Sequence, residues 1–104
     1  MKMQVTIKEL NIIGMGLRSL GDLPLVGALK FKIARNLKAA EDILEDAMRS
    51  SEDIDNDTDL LDTSINVDFM NFTEEELEPL EIDSKTIFML LPLIGNEEVE
   101  DGKL

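Results

Sequence analysis

The chain has 104 residues and a formal net charge of −13, and it lacks cysteine, histidine, tyrosine and tryptophan. Those absences exclude disulfides, thiolate metal sites, thiol nucleophiles and imidazole general bases. Carboxylates, amines and hydroxyls are left as the chemical resources. A chain of this size buries roughly 60–70% of its unfolded surface. With Phe31, Phe69, Phe72 and Phe88 as its only aromatic residues, its core is expected to be built mainly from Leu, Ile, Val and Met.

The charge is unevenly placed. Residues 1–40 hold seven cations against two anions, whereas residues 41–104 hold three cations against twenty-one anions. A field of this kind favours solubility and pairing between the two halves, and disfavours direct binding to nucleic acid or an anionic membrane. The N-terminal residues break into polar positions before any signal-like apolar run, and no segment approaches the ~20 apolar residues of a membrane helix. A cytoplasmic protein is the resulting expectation.

In chain order, Met3 to Ile7 alternates as a short leading strand would. Thr6 and Glu9 have capping-box spacing, in which each side chain satisfies the other's orphan amide. Leu10, Ile13, Leu17 and Leu20 share one helical face, predicting a helix over 7–20 with Gly21 as its C-terminal cap. Pro24 predicts the start of a second, long helix over 24–49, because proline suits a first helical turn. Its stripe is Val26, Leu29, Ile33, Leu37, Ala40, Leu44 and Ala47, with Met48 at the edge. The charges of this helix oppose its dipole: Lys30, Lys32, Arg35 and Lys38 come first, and Glu41, Asp42, Glu45 and Asp46 follow. Packing must therefore hold it, most simply as a hairpin against the first helix.

Residues 50–63 form an acidic connector ending in a helical turn near Leu60 and Leu61. Ile65, Val67 and Phe69 then alternate with polar residues, predicting a half-buried strand up to Phe72. Thr73 and Glu76 repeat the capping box, predicting one helical turn. Residues 79–82 suggest a brief edge strand, since Pro79 is unsuited to a central one. Asp83 is an N-cap for a last helix carrying Ile87, Phe88, Leu91 and Ile94, kinked or ended by Pro92. Residues 95–104 read as an acidic, frayed tail. The predicted class is α+β over residues 1–94: an N-terminal helical hairpin, a small antiparallel sheet and a closing helix.

Four groupings invite functional readings. Gly14 and Gly16 superficially match a dinucleotide fingerprint, but Ser19 replaces its third small residue and the region around Arg35 is basic where an acidic ribose partner belongs; flexibility or close helix packing explains the glycines better. Asp53, Asp55, Asp57 and Asp59 alternate like the start of a calcium loop. Thr58 and Ser64 stand where that loop needs Gly and a bidentate Glu, so a solvated linker is favoured over a cation-binding module. Glu74, Glu75 and Glu76 are adjacent on a short turn and do not form the cleft-held pair that acid/base catalysis requires. Leu90-Leu91-Pro92-Leu93-Ile94 is the most apolar run, belonging to the core or, if partly covered, to a contact with a partner or a second copy.

Leu23-Pro24-Leu25, the helix from Lys30 to Lys38, Val67-Asp68-Phe69, Leu80-Glu81-Ile82 and Leu91-Pro92-Leu93-Ile94 together resemble a group of small proteins encoded by tailed bacteriophages and prophages. Members of that group carry a longer charged extension after the second helix, shortened here to the acidic connector. The resemblance implies a phage origin, in the bacterial cytoplasm or associated with the virion. It carries no established activity and no site residues.

The leading expectation is a non-enzymatic protein-interaction factor, without cofactor or metal, serving virion assembly or control of a host protein, with homo-oligomerisation open. Its candidate partner-binding residues are Asp53, Asp55, Asp57, Asp59, Glu74, Glu75, Glu78, Leu91 and Ile94. The alternative is an acidic inhibitor that imitates nucleic acid and blocks a host restriction or CRISPR-type enzyme.

Overall fold

A computed structural model describes residues 2–53 and 56–95. The acidic tail expected after Gly95 lies outside the described residues. The elements in order are β1 (Lys2–Thr6), α1 (Ile7–Gly21), α2 (Ala28–Arg49), α3 (Thr58–Leu61), β2 (Ser64–Asp68), α4 (Glu74–Leu77), α5 (Ser84–Leu90) and a 3-10 turn (Leu91–Leu93). The α+β class, the helical hairpin and the closing helix all stand as the sequence predicts.

β1 and β2 pair antiparallel from Lys2 opposite Asp68 to Thr6 opposite Ser64. This register places Met3, Val5, Ile65 and Val67 on one face, and the pleat turns that face to the core. β1 runs directly into α1. Thr6 Oγ1 accepts from the Glu9 amide at 3.1 Å, and the Glu9 carboxylate accepts from the Thr6 amide at 2.8 Å. The helix ends through Asp22, whose amide donates to carbonyls of the last turn. Gly21 is not the left-handed cap expected: Gly27 is the only described glycine with positive φ, at 85°.

α2 starts at Ala28, not at Pro24. Leu23 and Leu25 turn inward between exposed Pro24 and Val26, so the segment is spent on alternating burial. Gly27 then turns the chain through a conformation that side chains oppose, which fixes the helix start. Val26 is 89% exposed, and the buried stripe begins at Leu29.

α1 and α2 pack as an antiparallel hairpin: Gly14 lies against Leu44, and Gly21 against Ile33. The arrangement explains the charges that oppose the α2 dipole. In an antiparallel pair the start of α2 lies beside the end of α1, and Lys30 Nζ donates to the Gly21 carbonyl at 2.7 Å. A cation unhelpful to its own helix thus serves the carbonyl end of its neighbour. Arg18 bridges to Glu41 at 3.0 Å across the same seam.

The opposite flank of α1 carries α5, so α1 lies between two helices. Gly16 sets the spacing there: a Cβ on it would stand 2.9 Å from Leu90 Cγ and 3.0 Å from Met89 Cβ. Close helix packing is therefore the role of this glycine, in mid-helix rather than at a phosphate-binding turn. Phe69, Phe72, Leu10, Leu17, Leu20, Leu90 and Leu93 are among the side chains that fill the core. No methionine is fully buried among the described residues, and Phe31 and Phe88 are exposed, so the core is aliphatic with two phenylalanines.

β2 ends at Asp68 rather than continuing to Phe72. Beyond it, Asn36 of α2, 1% exposed, takes both polar groups of Met70: Oδ1 accepts from the Met70 amide at 2.7 Å and Nδ2 donates to its carbonyl at 2.8 Å. Phe72 instead bridges to Ile94 in parallel. The edge strand expected at 79–82 is absent, because Pro79 has no amide to donate and Leu80 N bonds back to Leu77 O at 3.0 Å.

Candidate functional site

The short turn α4 is built by its caps. Thr73 Oγ1 accepts from the Glu76 amide at 3.1 Å, and Glu76 Oε1 accepts from the Thr73 amide at 3.0 Å. Lys32 of α2 closes on the same carboxylate at 2.8 Å while donating to the Asn71 carbonyl at 2.7 Å. With Glu76 thus tied inward and Leu77 buried, Glu74, Glu75 and Glu78 are left on the exposed side of the turn.

Burial works to raise the Glu76 pKa, but the Lys32 ammonium and the Thr73 hydrogen bonds outweigh it and hold the carboxyl below its ordinary value of 4.5. A depressed carboxylate stabilises the fold above its unfolded pKa and loses that contribution as pH falls through the folded one. Glu76→Gln is therefore expected to cost about 1–2 kcal/mol at neutral pH. In urea titrations of both proteins at several pH values, that difference should shrink as pH drops below 4.5. A difference independent of pH would mean that charge is not what Glu76 contributes.

α5 is capped by Asp83, whose Oδ1 accepts from the Thr86 amide at 3.0 Å. The Thr86 hydroxyl and amide hold the Asp83 carboxyl below the usual carboxylate value. One face of α5 and its 3-10 extension buries Thr86, Leu90 and Leu93. The other leaves Ile87, Phe88 and Leu91 in water, with Phe88 74% and Leu91 50% exposed. The terminal apolar run is thus divided between core and surface. Phe72 N donates to Leu93 O at 2.8 Å and Gly95 N to Phe72 O at 3.0 Å, which pins Ile94 beside the chain entering α4.

Between these walls lies an open groove of about 500 Å³. Leu77, Leu80, Ile87, Leu91 and Ile94 make its apolar lining, and Glu74, Glu75 and Glu78 its acidic side. Five of the nine expected partner-binding residues, Glu74, Glu75, Glu78, Leu91 and Ile94, are brought together here. The sequence reading missed Leu77, Leu80 and Ile87 as lining. Ile87, Leu91 and Ile94 are spaced i, i+4, i+7, a pattern shared by a buried face and an exposed docking face.

The aspartates of the connector do not join this groove. Asp57 caps α3 by accepting from the Leu60 amide at 3.1 Å, Asp53 accepts from Asn56 Nδ2 at 2.8 Å, and Asp59 is exposed in the first turn of α3. Asp55 lies outside the described residues. The connector leaves the C-terminal end of α2, whereas Glu76 is bound to Lys32 near its start, so the two acidic sets are separated by roughly 25 Å of helix. Among the described residues no cluster of three or more carboxylates is arranged to hold a metal ion. Nor is any described helix long and apolar enough to cross a membrane.

Four of the five cations of α2 lie in its first half and divide their work within the chain. Lys30 serves the Gly21 carbonyl, Lys32 pairs with Glu76, Lys38 pairs with Asp42 at 3.3 Å, and Arg35 lies over the Phe31 ring at 5.7 Å.

Compared with known proteins, the chain matches no family model, no curated protein and no solved structure.

Proposed function

We propose that the chain is a non-enzymatic, phage-encoded protein-interaction factor, acting in virion assembly or on a host protein, and that the groove between α4 and α5 is its docking surface. The observation that carries the reading is the exposed flank of α5. The seven-residue α5 and its 3-10 extension leave Ile87, Phe88 and Leu91 exposed beside an apolar groove. Contiguous exposed apolar surface of this kind marks interaction sites on soluble proteins, and covering it returns roughly 25 cal/mol per Å² of apolar area. The sequence resemblance supports the phage setting, and the absence of histidine and cysteine removes the commonest catalytic groups.

The test is affinity capture from phage-infected bacteria with the wild-type chain and with Phe88→Ser/Leu91→Gln, both sites being exposed enough for folding to tolerate the changes. A partner held by the wild type through moderate salt and lost by the double variant supports the reading. Partners retained equally by both proteins would overturn it. Capture competed by DNA or RNA, weakening steeply with salt and indifferent to the double variant, would establish the nucleic-acid mimic instead.

A further inference from the structure

We infer that the occupant of the groove is an amphipathic α-helix of a partner protein, with an apolar stripe flanked by lysine or arginine. The inference rests on the docking reading above and goes further, to the chemistry of what docks.

Charge gives the first part. Glu74, Glu75 and Glu78 stand on one side of the apolar lining, and no basic residue lines the groove. Among the described residues none of the three is engaged in a salt bridge or a side-chain hydrogen bond, whereas neighbouring Glu76 is consumed by Lys32. These carboxylates are available to a partner's cations. The surrounding field is also strongly negative, which speeds the approach of basic segments and repels a second copy of a chain at −13.

Backbone accounting gives the second part. An extended peptide that binds by strand addition needs an unpaired strand edge. The groove offers no strand among the described residues, for its walls are α4, α5 and the 3-10 turn, where Glu78 N bonds to Glu74 O, Ile87 N to Asp83 O and Ile94 N to Leu91 O. Phe72, the strand-like residue nearby, spends its amide on Leu93 O and its carbonyl on Gly95 N. Recognition must therefore run through side chains. A helix meets that demand with anchors at i, i+4 and i+7, which can lie against Ile87 of α5, Leu91 of the 3-10 turn and Ile94 beyond it.

The test is selection of the full chain against a displayed library of peptides four helical turns long, with enriched binders then titrated by NMR. Enriched sequences are expected to carry Leu, Ile, Met or Phe at i, i+4 and i+7 with Lys or Arg beside them, and to shift resonances of Glu74, Leu77, Ile87, Leu91 and Ile94. Glu74→Lys/Glu75→Lys/Glu78→Lys should weaken binding by about tenfold or more. The glutamine triple variant should give a smaller loss, and thermal melts of both should confirm that α4 still folds. Acidic, neutral or proline-rich binders, binders unaffected by Leu91→Gln, or no enrichment would each overturn the inference. So would a Leu91-dependent dimer of the chain itself. If the captured partner is still lost in Phe88→Ser/Leu91→Gln, the docking surface stands and only the occupant is wrong. If both experiments fail, the docking reading falls as well.

Discussion

Asn36→Leu is expected to destabilise the protein by about 2–4 kcal/mol, lowering Tm by roughly 10–20 °C. The side chain is 1% exposed on the inner face of α2, and its two bonds to Met70, at 2.7 and 2.8 Å, span 34 residues of sequence. Leucine has nearly the same volume, so packing is largely kept and about 1 kcal/mol is returned by apolar burial. The loss is two hydrogen bonds at about 1 kcal/mol each, plus the cost of leaving the Met70 amide and carbonyl without partners, about 1–3 kcal/mol. Hydrogen exchange supplies a second readout, because the Met70 amide should lose its protection while amides in mid-α1 lose only what the global stability change dictates. A leucine variant as stable as the wild type would show that Asn36 is a tolerated polar residue and not a clamp.

The two mid-helix glycines should respond to substitution with opposite signs. Gly14→Ala adds a methyl 3.5 Å from Leu44 Cδ1, an ordinary contact, so the helix-propensity gain of about 0.5–1 kcal/mol should appear as added stability. Gly16→Ala gains the same propensity but drives its Cβ to 2.9 Å from Leu90 Cγ and 3.0 Å from Met89 Cβ. Leu90 is fully buried and cannot swing aside, and a Cβ moves only with its backbone, so α5 itself must shift. Gly16→Ala should therefore be destabilising by about 1–2 kcal/mol and Gly16→Val by about 3 kcal/mol. Urea unfolding of the three variants decides the matter, and a stabilising Gly16→Ala would refute the close approach of α1 and α5.

The parts of the fold legible in the sequence are those whose causes are local. Thr6 with Glu9, Thr73 with Glu76, and Asp83 each cap the helix their spacing predicts, because a cap involves only neighbouring residues. The α2 stripe from Leu29 to Ala47 is legible for the same reason. Misreadings fall where a distant partner decides. The alternation through Phe69 would suit a longer strand, but Asn36 claims the backbone of Met70. Asn36 itself lies on the apolar stripe, three residues after Ile33 and four before Ala40; a polar residue in such a place was the available sign of a buried clamp. For the site, the glutamates and the terminal apolar run were legible as residues. Their meeting in one groove was not, because it depends on Phe72 pairing with Ile94 across 21 intervening positions.

The position of α1 between α2 and α5 has a consequence for biosynthesis. As the chain leaves the ribosome, α2 follows α1 and can cover its first flank at once. The flank around Gly16 must wait until Leu90 has been made, and β1 must wait for β2. A nascent chain halted before α5 thus carries an uncovered greasy seam along its first helix, the kind of surface that chaperones and proteases recognise. Because Leu90 and Leu91 are neighbours in the chain, the segment that closes this seam also presents the flank offered to a partner, so that flank takes shape only as the fold is completed.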